Sequence, residues 1–233
     1  MPVQTQILTR RDTAANWTST NPTLGSGEWG LETDTGLTKI GTGSTTWTNL
    51  NYFLPPFAGH AKMIPNQYYY PNWHQSTGTN STGVGYFYAT PIIIPNTITV
   101  TSINFEVVTS SSAGAGGAAK VGIYSSDSNN QPNSLIIESA SVSTETAGIK
   151  EITMSQSLKA GVYWLALAWQ VNVTGLTYRY VTSVAPYVSK SSNFSSTSVF
   201  SNCYLQTGVT SSMPATYSST NCQVGAPKMW IKT

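Results

Sequence analysis

The chain has 233 residues, of which 39% are hydrophobic, 11% are aromatic and only 9% are charged, with a formal net charge of +2. Average globular proteins carry about 25% charged residues, so Ser, Thr, Asn and Gly must form most of this surface. The low net charge and the aromatic content exclude a disordered polyelectrolyte. The only adjacent basic pair is Arg10 and Arg11, so we expect no nucleic-acid partner.

No segment reaches the roughly 20 apolar residues that cross a bilayer. The first twelve residues also lack the apolar run of a signal peptide. We therefore expect a protein made in the cytoplasm without membrane insertion. The two cysteines are Cys203 and Cys222. Because the cytoplasm keeps thiols reduced, we favour two buried thiols, and a disulfide between them is the alternative.

Residues 1–53 alternate short extended segments with turns rich in Gly and Thr, and the composition favours no helix. Strand candidates are residues 4–8, 30–33 and 39–40. Residues 41–44 (GTGS) are typical of a turn, and Trp47 begins a second short run. A unit of this size without Cys or His rarely builds a stable core alone. We expect it to oligomerise and to bury Trp47 partly against another copy.

Residues 54–62 (LPPFAGHAK) predict a linker, because two consecutive prolines stiffen the chain and block strand pairing. Residues 63–233 then show β-branched and alternating runs separated by turns, which predict an antiparallel, jelly-roll-like β-sandwich. Residues 161–171 (GVYWLALAWQV) are apolar on both faces, as in a central strand covered on each side. The predicted strands are residues 98–108, 120–124, 135–139, 149–154, 162–171, 176–184 and 228–231.

Residues 10–53 carry an ordered set of motifs: a basic pair, WTSTNP, LGSGEWG, ETDTG, KIGTG and WTNL. This set resembles the N-terminal module of bacteriophage fibre and tropism-determinant proteins. The resemblance implies a small trimeric β-prism that attaches to the virion. Thr42 departs from the family pattern, which usually has Asp there, and this puts any contact of that carboxylate in doubt. The residues we assign to trimerisation and attachment are Arg10, Arg11, Trp17, Trp29, Ile40, Trp47 and Leu50.

The second region also resembles known proteins, through shorter motifs. KVGIY (residues 120–124), QPNSL (131–135) and AGVYWLA (160–166) are similar to segments of the distal β-sandwiches of phage virion proteins. They fit carbohydrate-binding sandwiches as well. The resemblance implies a distal domain that projects from the particle.

A run of aromatic residues follows the linker: Tyr68, Tyr69, Tyr70, Trp73 and His74. Successive side chains of a strand point to opposite faces, so these rings cannot all enter one core. An interface or core role is favoured, since Tyr and Trp are enriched in protein contacts. Contact with a glycan is the alternative.

The sequence offers little for catalysis, because its nine carboxylates are scattered and no pair is marked as a glycosidase acid and base. We expect no enzyme, no cofactor and no metal site. Asp127, Asn129 and Asn130 fit a polar turn better than a calcium loop. His60 and His74 have no metal-ligand spacing with other residues.

These observations lead to one hypothesis and two alternatives. We expect a homotrimeric phage virion protein, a fibre or capsid decoration, that contacts other virion proteins of the capsid, neck or tail. The first alternative is a receptor-binding protein that recognises a host surface glycan. The second is a glycan-degrading tailspike.

Overall fold

The computed structural model describes residues 9–53, 62–71, 74–112, 116–171, 173–184, 203–218, 222–223 and 225–233. None of its helices is both long and apolar enough to span a membrane in this described part of the chain. The predicted strand at residues 4–8, His60 and Trp73 lie outside the described residues. Nearly all regular structure is β, as expected.

The first unit is residues 1–53, of which residues 9–53 are described. This described part contains a three-stranded sheet and two short helices. Its elements are β1 (Arg10–Asp12), α1 (Ala14–Thr20), β2 (Trp29–Glu32), β3 (Thr38–Ile40) and a 3-10 helix (Trp47–Asn49). The sheet order is β1-β2-β3, with β1 parallel and β3 antiparallel to β2. The two predicted strands at residues 30–33 and 39–40 are confirmed as β2 and β3.

Two predictions for this unit are wrong. A helix forms at Ala14–Thr20, because the Oγ1 of Thr13 accepts the backbone N–H of Asn16 at 3.2 Å and Asn21 ends the helix at a φ of 43°. A Thr at the N-cap and an Asn in the left-handed region are ordinary helix boundaries. Trp47 begins a turn of 3-10 helix rather than an extended run.

The second unit is an antiparallel sandwich whose strands run from residue 68 to residue 232. They are β4 (Tyr68–Tyr69), β5 (His74–Ser81), β6 (Phe87–Ile94), β7 (Ile98–Thr109), β8 (Ala118–Ser126), β9 (Pro132–Glu138), β10 (Val142–Ser143), β11 (Gly148–Leu158), β12 (Gly161–Val171), β13 (Thr177–Val184), β14 (Cys203–Gln206), β15 (Cys222–Gln223) and β16 (Met229–Lys232).

One sheet has the order β10-β8-β12-β6-β14-β15, with β9 also on β8. The other has the order β4-β16-β7-β13-β5, with β11 also on β7. From β5 to β8, and again from β11 to β14, successive strands alternate between the sheets, the connectivity expected of a jelly-roll-like sandwich. The predicted sandwich is confirmed, and all seven predicted strands are present.

The sandwich has an apolar layer between its sheets and a second one outside the first sheet. Between the sheets lie residues such as Ile103, Phe105 and Trp169. On the outer face of β12, Trp164 and its neighbours are covered by residues 207–217, including Met213. This cover explains why β12 is apolar on both faces, as the sequence predicted for a central strand.

Thr233, which follows β16, is hydrogen-bonded to the residues that precede β4. The Oγ1 of Thr233 donates to the backbone oxygen of Ile64 at 2.6 Å, and the backbone N–H of Asn66 donates to the oxygen of Thr233 at 2.6 Å. Thr97, in the turn before β7, donates from its Oγ1 to Asn51 Oδ1 of the first unit at 2.6 Å. The turn before β7 therefore contacts the first unit.

Candidate functional site

Two tryptophans form the centre of the first unit. The rings of Trp17 and Trp47 stack with centroids 4.1 Å apart at an interplanar angle of 13°. Leu24 and Leu50 complete this buried cluster. Trp47 is only 1% exposed within one chain. The expectation that Trp47 obtains its burial from a second copy is therefore wrong, because its own chain supplies the neighbours.

The backbone around α1 and the 3-10 helix brings the two rings together. Asn21 ends α1, and its Oδ1 accepts the backbone N–H of Thr48 at 2.9 Å. The N–H of Trp47 donates to the oxygen of Pro22 at 2.8 Å. The indole N–H of Trp17 donates to the oxygen of Leu31 at 3.0 Å, so the ring pair is also fixed to the sheet. The turn after α1 thus sets the position of both tryptophans.

Two glycines make room for this core. A Cβ on Gly30 would lie 2.5 Å from the Trp47 ring, and a Cβ on Gly41 would lie 2.1 Å from the backbone oxygen of Gly25. Contacts this short are sterically forbidden, so both positions require glycine. In the same turn, the Oγ1 of Thr42 accepts the N–H of Thr45 at 3.1 Å. Thr42 thus supplies an oxygen at the position where the family usually has Asp.

A buried polar network lies beside the tryptophans. Glu32 is buried, and its two oxygens accept the hydroxyl of Tyr52 at 2.7 Å and that of Thr35 at 2.5 Å. Burial and the nearby carboxylate raise the pKa of Tyr52 far above its usual value. The ammonium of Lys39 donates to the oxygen of Trp47 at 2.9 Å. Burial lowers the pKa of Lys39, which Glu32 partly offsets.

The first unit also exposes apolar side chains, on β2 and on the segments next to the sheet. Trp29 is 44% exposed and Phe53 is 50% exposed, and their ring centroids lie 5.4 Å apart. Leu37 is a further exposed hydrophobic residue of this unit. An exposed aromatic pair of this kind is typical of a surface that binds a protein.

The residues assigned to trimerisation and attachment fall into two groups. Trp17, Trp47 and Leu50 are buried in their own unit, and Ile40 is half-buried. Arg10, Arg11 and Trp29 reach the surface. Arg10 lies 5.2 Å from the Trp17 ring and 3.7 Å from a Glu28 carboxylate oxygen. The first group stabilises the fold, and the second lies at the surface, where it can contact another copy or a virion protein.

The aromatic run of the sandwich divides as strand alternation requires. Tyr69 lies in the core, whereas Tyr68 is 50% exposed and Tyr70 is half-buried. Strand β4 pairs with β16, so that Tyr68 lies opposite Lys232. His74 begins β5, but its side chain is outside the described part of the structure.

Tyr68 and Tyr70 lie beside residues of β16 and the segment before it that the sequence did not identify as site residues. The ammonium of Lys232 lies 5.3 Å from the Tyr68 ring, and that of Lys228 lies 5.0 Å from the Tyr70 ring. The Tyr70 and Trp230 rings are 5.6 Å apart. We call these five residues the aromatic–lysine strip. Only the pairing of β4 with β16 brings them together, because they stand near opposite ends of the sandwich sequence.

The carboxylates of this sheet are engaged by cations. Glu106 accepts two hydrogen bonds from the guanidinium of Arg179, both at 3.1 Å. Glu151 lies 3.8 Å from the ammonium of Lys232 and accepts the hydroxyl of Ser102 at 3.1 Å. The strip therefore offers aromatic faces and lysine donors, and the carboxylates of the neighbouring strands are held in ion pairs. Such a surface can bind a ligand through stacking and hydrogen bonds.

Elsewhere in the described residues, no group of three His, Cys, Asp or Glu side chains is placed to hold a metal ion. The Oδ1 of Asp127 accepts the N–H of Asn129 at 2.9 Å and that of Gln131 at 2.8 Å. These bonds form the polar turn that the sequence analysis favoured. Cys203 is buried, and the side chain of Cys222 lies outside the described residues, so the pair of buried thiols stays a prediction.

Comparison with known proteins gives one result, confined to the first unit. Residues 7–45 match the model of the family described as the major tropism determinant N-terminal domain. No curated protein matches the chain. The matched segment contains β1, α1, β2 and β3. It includes two of the four residues of the stacked-tryptophan core, Trp17 and Leu24, and ends before Trp47 and Leu50. The similarity to a tropism-determinant N-terminal domain is therefore confined to residues 7–45.

Proposed function

We propose that this chain is a homotrimeric bacteriophage virion protein, a fibre or capsid decoration, with its first unit attached to the particle and its sandwich projecting. The family match of residues 7–45 carries the proposal. We further propose that the protein acts as a structural and binding component rather than as an enzyme. Its partners would be copies of itself and other virion proteins.

The exposed pair of Trp29 and Phe53 supports self-association of the first unit. The tryptophans that fold the unit, Trp17 and Trp47, are already buried within one chain. Trp29 and Phe53 are large rings left at the surface, and aromatic residues of this size dominate the energy of protein interfaces. We therefore assign the contact between copies to this pair and not to Trp47.

The mass of the protein in solution tests the trimer. Light scattering at micromolar concentration should give about three times the 25.0 kDa mass of one chain, the value for a closed trimer. Changing Trp29 and Phe53 together to Ser should yield monomers. The matched control is a change of Val171, an exposed hydrophobic residue of the sandwich, to Ser. A monomeric parent would contradict the proposal.

Antibody labelling of assembled particles tests the virion assignment. An antibody against the sandwich should decorate intact particles in electron micrographs. The label should disappear from particles made without this protein. Unlabelled intact particles that otherwise infect normally would contradict the assignment.

Recognition of a host surface glycan is a second candidate function, favoured by the aromatic–lysine strip. Aromatic faces stack on flat ligands, and lysines donate hydrogen bonds to hydroxyl or acidic groups. A glycan array should detect binding by the parent that is lost when Tyr68 is changed to Ala. Ile149, which is exposed on β11, provides the matched control as Ile149→Ala. Release of shorter oligosaccharides from a bound polysaccharide would instead indicate a tailspike.

A further inference from the structure

A cavity of about 220 Å³ lies where the first unit meets the sandwich. Its wall includes Trp47, Leu50 and Tyr52 from the first unit and Lys159 from the turn before β12. Lys39 also lines it. Two lysines therefore face one small space, one from each unit of the chain.

The charge of Lys39 is not neutralised by direct contact with a carboxylate. Lys39 is only 5% exposed, and its ammonium donates to the oxygen of Trp47 and lies 4.3 Å from the ring centroid of Tyr52. Among the described residues, no carboxylate oxygen lies within ion-pair distance of it. Buried charges in proteins are normally paired, because an ion loses its hydration on burial.

The nearest acidic side chain is already occupied. Both oxygens of Glu32 accept hydroxyl hydrogen bonds, from Tyr52 and Thr35. Glu32 influences Lys39 only at longer range, as its partial opposition to the lowered pKa of Lys39 indicates. The like charge of Lys159 adds to that lowering. Among the described residues, the positive charges that face the cavity are therefore offset only in part, by Glu32 at longer range.

The two ammonium groups are also positioned alike. Lys39 donates to the oxygen of Trp47, and Lys159 donates to the oxygen of the next residue, Thr48. Because each ammonium has three donors, each retains donors for another acceptor. Two neighbouring cations with spare donors match the two oxygens of one carboxylate.

We propose that this junction cavity binds a carboxylate group between Lys39 and Lys159. The carboxylate can come from a small organic acid or from an acidic side chain of another virion protein. Either source would contact both units at once. This inference does not depend on the trimer, since all the residues involved belong to one chain.

A titration of the full-length protein tests the proposal. Amide resonances of residues 47–52 would be followed by nitrogen-15 NMR at constant ionic strength. The probes are acetate, the peptide acetyl-Gly-Asp-Gly-amide, and inorganic phosphate. We expect saturable shifts with acetate, with the peptide, or with both. Acetate alone identifies a small-acid site, and the peptide alone identifies a protein side chain as the ligand.

The variant Lys159→Gln should weaken carboxylate binding by about tenfold, because it removes one charge-assisted hydrogen bond. Lys159 is exposed, so its replacement leaves the fold intact. The control Lys150→Gln removes the same charge from the other end of β11 and should bind like the parent. Shifts with phosphate only, no saturation, or equal binding by Lys159→Gln and the parent would each overturn the proposal.

Discussion

Trp17 and Trp47 stack face to face, 4.1 Å apart, although one belongs to a helix and the other to a 3-10 turn. The two residues are fixed to different segments, because the indole N–H of Trp17 donates to the oxygen of Leu31 and the backbone N–H of Trp47 donates to the oxygen of Pro22. The pair therefore connects the helix, the turn and the sheet of a unit that contains no cysteine and whose described residues form no cluster able to hold a metal ion. Its removal should affect the whole unit.

Changing Trp47 to Ala should unfold the first unit at much lower denaturant concentration than in the parent. Loss of a buried Trp typically costs about 3–5 kcal/mol. Urea unfolding, followed by near-ultraviolet circular dichroism, measures the change. Leu37→Ala is the control, since Leu37 of the same unit is already 38% exposed and its truncation should cost far less. Equal destabilisation by the two changes would contradict the assignment of Trp47 to the core.

Gly41→Ala should destabilise the first unit for a different reason. The new Cβ would lie 2.1 Å from the backbone oxygen of Gly25, and neither backbone can move without breaking the Gly41 N–H bond to the oxygen of Glu28. Gly25→Ala is the matched control, because its Cβ would meet only Glu28 atoms, at 3.5 Å and beyond. Thermal unfolding should show a lower midpoint for Gly41→Ala alone.

The pH dependence of stability should reveal the buried charge of Lys39. Its folded pKa lies below the unfolded value of 10.5, so the unfolded chain binds the proton more tightly. The contribution of Lys39 to the free energy of unfolding should therefore increase as the pH rises from the lowered pKa of the folded state to 10.5. Tyr52 acts oppositely above pH 10, because its pKa is raised on folding.

Urea unfolding midpoints measured from pH 8 to 11 check this prediction. As the pH rises, the urea midpoint of the parent should increase relative to that of Lys39→Met. The Tyr52→Phe variant should keep the rise of the parent and extend it above pH 10. A constant difference between the parent and Lys39→Met across this range would show that Lys39 titrates normally.

Deleting residues 1–53 should abolish incorporation into particles while the sandwich remains folded. The deletion removes the contact of Asn51 with Thr97 and that of Thr48 with Lys159, but no strand pairing of the sandwich. Circular dichroism of the truncated protein checks the fold, and immunoblotting of purified particles checks incorporation. Truncated protein found on particles would place attachment in the sandwich.

Short-range patterns predicted most of the fold. The alternation in residues 98–108 and the doubly apolar residues 161–171 identified β7 and β12, because a strand's periodicity is visible within the strand itself. The helix at Ala14–Thr20 was missed, since its seven residues bury only Trp17 and show no apolar repeat. Its signal was Thr13 at the N-cap and Asn21 after the last turn.

The sites depended on contacts between distant residues and were less predictable. That some rings of the aromatic run lie at the surface, as Tyr68 does, followed from strand alternation. Their lysine neighbours did not, because the pairing of β4 with β16 sets that contact. The burial of Trp47 was assigned to another copy because composition alone gave too small a core. The stacking on Trp17 required the unpredicted helix.

The hydrogen bond between Thr233 and Ile64 fixes the position from which a peptide fused to Thr233 would emerge. Thr233 lies at the end of the sandwich near residues 62–67, and Asn96 of the turn that contacts the first unit bonds to Met63 beside them. The turn at residues 82–86 lies at the other end, where Gly85 bonds to Trp169. A reporter appended to Thr233 would thus crowd the first unit. An epitope inserted next to Val84, an exposed residue of this turn, would stand clear of it, which makes this position the better one for display.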